Sequence, residues 1–415
     1  MKMKQLSWVA IVIALAACSG NEKNRLVGNE KNRLGDLPVV AHQVEVDGQE
    51  MTVCELDLLK DTIDLPLSYW VEDFEAVKLD GRDEALVGQG AVSVSDNYIV
   101  VNISQNVPCK LFRRDGSYIS SVGSIGQGPG EYQYVSDIQI DEQNGCIYLL
   151  PWRSKAILVY DMMGKYVKSI PLNKKYENLF VPKGKIKVDV ANNRIAVMSL
   201  PFDNLPVVAW IQDMDGNFIH EVPMNHLKIK PSYNNEVYSV GASEASLDVF
   251  IYTYHKTRKD TLYHLNMENG KLYPEFTLNF GESDIAIHDY FEFPGHYIGS
   301  LGELEKKSSY LYVTSDKAKY IVEKATGKGA FVRICNDFWD NEPVENITSA
   351  CDNGYYALNI EPSALMERLE KGLRNNPDEK RRKRMEALLR TIDEDDNNYI
   401  FIGKLKTEFG NADEK

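Results

Sequence analysis

The chain offers seven histidines and six cysteines as possible ligands or nucleophiles, and neither set falls into a chemical pattern. His42, His220, His226, His255, His264, His288 and His296 stand at least six residues apart, with no His-x-His or His-Glu-x-x-His. Zinc held by neighbouring residues is not expected, because such sites need ligands a few positions apart. No cysteine pair has Cys-x-x-Cys spacing. Cys335 and Cys351 could be joined in an exported chain. A cysteine in a run such as Gly145-Cys146-Ile147-Tyr148 acts as a small hydrophobe, so buried free thiols are the expectation. The acidic run Asp393-Glu394-Asp395-Asp396-Asn397-Asn398 fails as a calcium loop. Asn398 and Lys404 stand where that loop needs glycine and glutamate. The basic run Lys380 to Arg384 is offset by the same acids and reads as a solvated helix face. Two clusters remain. Trp152, Arg153 and Lys155 form one; His255, Lys256, Arg258 and Lys259 form the other. An indole stacks on a sugar face, and arginine or lysine donates charged hydrogen bonds to anionic groups. Trp152, Arg153, Lys155, His255 and Arg258 are therefore the candidate ligand-binding residues. No catalytic residue, metal ligand or cofactor is assigned. A carboxylate pair for glycoside hydrolysis is defined by separation in space, which spacing along a chain does not give.

Strands must hold these residues. The stretch Val122-Gly123-Ser124-Ile125-Gly126-Gln127-Gly128-Pro129-Gly130-Glu131-Tyr132 cannot be helix or strand interior, with four glycines and a proline in eight residues. It is a shaped link between two β runs. Five short turns ending in Gly116, Gly164, Gly216, Gly270 and Gly327 recur every 48 to 57 residues, each after a strand-like run. That is the pitch of a propeller whose blades are four-stranded meanders. The expected blades are Ala91–Val122, Val135–Leu172, Ile186–Pro223, Val237–Leu278 and Tyr297–Ile334. A sixth starts at Asn346 and resumes at Tyr399–Leu405. It shows three strands, and Phe74–Leu79 is the unused strand that would complete it and remove the open edges. The fold class is all-β, a six-bladed β-propeller closed by an N-terminal strand. A two-helix insertion in blade six, about 361–398, is predicted to contain helices Ser363–Leu373 and Asp378–Ile392. Set over the ring, they would cap its central channel. In such a meander the tight glycine turns lie on one face. The long links and the loops carrying Trp152 and His255 lie on the other, the expected binding face.

The first residues read as a leader. Lys2 and Lys4 precede an apolar run, Leu6–Ala17, too short to span a bilayer. Leu15-Ala16-Ala17-Cys18 has the form of a bacterial lipobox, so residues 1–17 would be removed and Cys18 lipidated. Ser19 and Gly20 favour the outer membrane. Residues 18–62, with Asn-Glu-Lys-Asn-Arg-Leu twice in tandem, read as a flexible tether, and 63–415 as the propeller. A net charge of −14 excludes a general nucleic-acid binder.

Three features together resemble the six-bladed β-propeller lipoproteins of anaerobic gut bacteria, similar in style to NHL-repeat propellers. They are the lipobox at Cys18, the run Tyr69–Leu79 and the motif Gly126-Gln127-Gly128-Pro129-Gly130-Glu131-Tyr132. The resemblance covers about Leu65–Leu405 and implies the fold and an envelope location, but little about activity. The expected protein is a non-catalytic binding or scaffold propeller. Its membrane contact is the lipid anchor, and its ligand a glycan or an envelope protein. The alternative is a hydrolase or lyase acting on a saccharide, lactone or peptide at the channel mouth.

Overall fold

The computed structural model describes residues 36–103, 106–175, 184–199, 207–223, 236–238, 247–252, 261–281, 287–306, 312–344, 347, 351–375 and 377–407. Six sheets form a propeller ring. Blade one is Ala91–Val94, Tyr98–Asn102, Lys110–Arg113 and Tyr118–Ser121; blade two is Val135–Asp141, Cys146–Pro151, Ala156–Asp161 and Tyr166–Pro171. Blade three is Lys185–Asp189, Arg194–Met198, Val207–Gln212 and Phe218–Pro223; blade four is Glu236–Tyr238, Leu247–Tyr252, Leu262–Asn266 and Lys271–Asn279. Blade five is Ile287–Phe293, His296–Lys306, Tyr312–Glu323 and Gly329–Cys335. Its inner strand lies before Tyr297, where the sequence reading starts the blade. Blade six is Cys351–Asp352, Tyr355–Ile360 and Tyr399–Leu405, with an outer strand from the N-terminal region.

Middle strands of the blades are nearly continuous apolar runs because each sheet is covered on both faces by its neighbours. Val207–Gln212 is buried at every position, whereas the outer strand Tyr166–Pro171 exposes alternate and adjacent residues. An apolar cluster fills each seam: Leu111 with Leu149 between blades one and two, and Trp210 with Ile170 between two and three. Ile211 meets Leu265, Phe276 meets Tyr320, Ile321 meets Tyr356, and Phe112 meets Ile400 at the other four. The last joins blade six to blade one.

The N-terminal region walks along the outer edges of the last three blades. Strands β1 (Ala41–Val46) and β2 (Gln49–Glu55) form a hairpin, and β2 pairs in parallel with the outer strand of blade four. β3 (Thr62–Pro66) pairs in parallel with the outer strand of blade five. β4 (Val71–Lys78) pairs antiparallel with Tyr399–Leu405 as the outer strand of blade six. The expectation of a flexible tether over 18–62 does not hold for its described part. Val40 and Cys54 are wholly buried among Tyr290, Tyr297 and Tyr320, so the hairpin is part of the core between blades four and five.

The recurring turn glycines have a packing reason beyond their positive φ. A Cβ on Gly116 would lie 2.1 Å from the Lys78 carbonyl oxygen, and on Gly164 2.4 Å from that of Ser121. Gly216 faces Pro171 and Gly270 faces His220 in the same way. Each turn is wedged against the outer strand of the preceding blade, where only hydrogen fits.

Helices α1 (Pro362–Arg374) and α2 (Glu379–Leu389) form the insertion, with Asp378 capping α2 by accepting the Arg381 amide at 2.9 Å. Their apolar stripe packs on blade six itself. Leu365, Leu369 and Met385 meet Trp339, Tyr399 and Phe401, with Phe74 and Leu358 at the margin. The apolar surface a channel cap would use is covered by that sheet. Cys335 and Cys351 are free thiols.

Candidate functional site

Trp152 and Arg153 sit in the loop between the second and third strands of blade two, with Lys155 closing it. Trp152 is half-buried, and Arg153 and Lys155 are exposed. Tyr134, at the head of the inner strand and 37% exposed, meets Trp152 edge-on, with ring centroids 6.4 Å apart. The Arg153 guanidinium lies 4.3 Å from the centre of the indole. The loop is fixed along its length. The Trp152 amide donates to the Tyr134 carbonyl at 2.8 Å, Ser154 N–H to Pro151 at 3.2 Å, and Leu172 N–H to Lys155 at 2.8 Å. The Ser154 hydroxyl donates to the Ala156 carbonyl and accepts from its amide. Arg153 holds a φ of 59°, a left-handed conformation that costs a non-glycine residue about 1 kcal/mol. A cation and two aromatic rings are thus presented on a stiff, strained loop at the long-loop end of the blade. Such a corner can stack a sugar ring and hydrogen-bond its substituents.

His255 and Arg258, and the lipobox Cys18, lie outside the described residues. Tyr134 is the member the sequence reading missed, although an aromatic residue two positions past the end of the glycine-rich motif was the available signal. That motif is itself scaffold. Tyr132 donates its hydroxyl to the Val122 carbonyl at 2.6 Å and accepts the Cys109 amide at 2.9 Å. Tyr160 donates to the Gly130 carbonyl at 2.9 Å, and Glu131 accepts the Gly128 amide at 2.8 Å. Gly123 and Gly130 leave room for the Tyr160 and Tyr166 rings. The basic run on α2 finds acids beside it: Arg381 pairs with Asp378 and Lys383 with Glu379. The acidic run at 393–396 is engaged elsewhere, with Asp396 on Lys78 at 2.6 Å.

A second polar group lies on the opposite face, between blades four and five. His264, near the end of blade four's third strand, places Nε2 2.5 Å from Glu292 and Nδ1 3.6 Å from Glu275. Lys324, in the third-to-outer turn of blade five, pairs with the other oxygen of Glu292. The Tyr297 hydroxyl donates to Glu275. Burial would raise the Glu292 carboxyl, but hydrogen bonding and charge from His264 and Lys324 outweigh it and hold the pKa below the usual range. His264, Glu275 and Glu292 converge closely enough to hold a cation. The two ring nitrogens, however, address different carboxylates, and Lys324 already neutralises one of them. No local spacing reveals this group, because its members come from four strands and a turn of two blades.

A crystal structure of an exported protein from Bacteroides fragilis is similar over 83% of this chain and 100% of its own, with a TM-score of 0.53 at 15% identity, a likeness of fold. A DUF4221-family protein from Bacteroides vulgatus aligns over 81% of this chain and 97% of its own, at 10% identity and a TM-score of 0.38. No curated protein matches the sequence. A family model matches residues 52–404, from within β2 to the last strand of blade six, and the chain therefore belongs to the DUF4934 family, described as a domain of unknown function.

Proposed function

We propose that the protein is a lipid-anchored propeller of the cell envelope that binds a saccharide on its long-loop face, at the corner formed by Tyr134, Trp152, Arg153 and Lys155. The basic and apolar leader with the lipobox at Cys18 supports export and anchoring, and the Bacteroides fragilis protein of similar fold is named as exported. A glycan of the envelope or its surroundings is the ligand class, and the outer membrane the place. The observation that carries the reading is Arg153, held left-handed on a loop tied down by backbone and Ser154 hydrogen bonds, against an indole that an exposed tyrosine flanks. A strained, pre-organised aromatic corner costs stability and lowers the ordering cost of a ligand.

The test is a screen of neutral and acidic oligosaccharides against the full chain in detergent, read by intrinsic fluorescence, with Trp152→Ala alongside. Saturable binding that weakens at least about tenfold in the variant supports the reading. Equal binding by both proteins, or none by either, removes it.

A further inference from the structure

The Arg153 guanidinium lies over the indole of Trp152, 4.3 Å from its centre, so ring surface that a neutral sugar would stack on is already taken by a cation. Tyr134, 37% exposed and edge-on to the indole, offers the next aromatic surface. A ligand at this corner therefore meets a charged group as well as a ring. We infer, on the binding reading proposed above, that the saccharide is an acidic one, with a carboxylate or sulfate of the sugar held by Arg153 and Lys155.

Arg153 stands where the backbone favours glycine. Its φ of 59° is left-handed, a conformation that glycine takes freely and arginine takes at a cost. The turn is closed by the Ser154 N–H donating to the Pro151 carbonyl and is tied to blade two's inner strand by the Trp152 amide donating to Tyr134. A guanidinium with an aromatic ring on one side is held in orientation, and its N–H donors lie in one plane. Two of them can meet two oxygens of one acid group in parallel hydrogen bonds. A sugar hydroxyl brings one oxygen and no charge, and makes a weaker bond to the same donors.

Lys155 supplies the second cation. Its carbonyl accepts the Leu172 amide at 2.8 Å, which fixes its backbone two positions beyond Arg153, and its side chain is exposed. An ammonium on a long flexible stem is a point charge that can follow the acid group of the bound sugar or meet that of the next sugar along the chain. Tyr134 is the ring left for the sugar's apolar face.

Calorimetric titration of the full chain in detergent tests this with matched pairs of probes. Oligosaccharides of galacturonate, glucuronate and mannuronate are each used as the free acid and as the methyl ester, beside a sulfated oligosaccharide and its desulfated parent. Esterification or desulfation removes the charge and keeps the sugar. At about pH 7, where sugar carboxylates are ionised, a charged form should bind at least about tenfold more tightly than its neutral counterpart. The pair that shows the difference identifies the acid group. Added salt should weaken the charged form and leave the neutral one unchanged. Arg153→Lys keeps the charge but loses the fork, and Lys155→Gln loses the charge; each should lower the charged-to-neutral affinity ratio by at least about threefold. A purely structural change in the loop would weaken both forms alike and leave that ratio where it is. Equal affinity for charged and neutral forms, or a ratio unchanged in both variants, overturns the acidic ligand and leaves the saccharide reading standing. Binding to none of the oligosaccharides overturns both.

Discussion

Gly327 turns its missing side chain onto the backbone of Ala41. A Cβ there would lie 2.5 Å from the Ala41 carbonyl oxygen, and the Gly327 carbonyl accepts the amides of Val40 and Ala41 at 2.8 and 3.0 Å. In blades one to four the equivalent glycine faces the outer strand of the preceding blade. In blade five the N-terminal hairpin takes that place. Gly327→Ala should therefore cost more than Gly145→Ala. Both glycines have positive φ, 67° and 63°, but nothing lies within 4 Å of a Cβ on Gly145. The strain alone is about 1 kcal/mol. Denaturant midpoints should show the excess for Gly327→Ala, together with faster protease cleavage at Asp47-Gly48. Equal losses would show that the hairpin is not wedged against the turn.

Truncation gives a sharper contrast. A chain starting at Lys60 keeps β3 and β4 but loses the hairpin. Val40 and Cys54 are each 0% exposed, and their removal uncovers Tyr290, Tyr297 and Tyr320. Each buried apolar side chain is worth about 1.5–3 kcal/mol, so stability should fall by several kcal/mol. An unchanged midpoint would mean that the segment is a tether after all.

The glycine-rich motif is predicted to matter for stability rather than for binding. Tyr132→Phe leaves the Cys109 amide and the Val122 carbonyl without their shared hydroxyl in a buried seam. The expected cost is about 1–3 kcal/mol, with ligand affinity unchanged. A loss of binding without a loss of stability would move the site to the motif.

His296 should make the fold less stable in acid. It is 0% exposed, with Nε2 3.0 Å from the Tyr69 hydroxyl, and burial lowers its pKa to about 4. A depressed histidine pKa means that the unfolded state binds the extra proton first. Stability is therefore full above about 6.5 and falls as pH drops towards 4. Side-chain NMR should find His296 neutral at about pH 5.5, below free histidine's pKa. A protonated His296 in the folded state at that pH would contradict the buried contact.

Much of the ring is legible in the chain because its period is written twice, in the turn glycines and in the apolar runs before them. Those glycines are required by backbone sign and by neighbour contact together, so they recur. Blade five's inner strand, Ile287–Phe293, carries His288, Asp289 and Glu292, which blur its alternation. The hairpin β1–β2 was readable in principle. Asp47-Gly48, at φ 52° and 78°, is a two-residue turn between alternating runs. The tandem polar repeat beside it outweighed that signal. The binding corner was half legible: Trp152 and Arg153 stand out in a loop, whereas Tyr134 joins them only through the register of blade two. The His264 group was not legible, because two blades must meet before its charges do.

Calorimetric titration of a saccharide found in the screen, with wild type and Arg153→Gly in parallel, tests the binding corner most directly. Glycine accepts the left-handed backbone without strain, a relief of about 1 kcal/mol that its greater freedom in the unfolded chain offsets, so the variant should be about as stable as wild type. It should nevertheless bind at least about tenfold more weakly, because the cation stacked on Trp152 is gone. Undiminished affinity in Arg153→Gly would contradict the account.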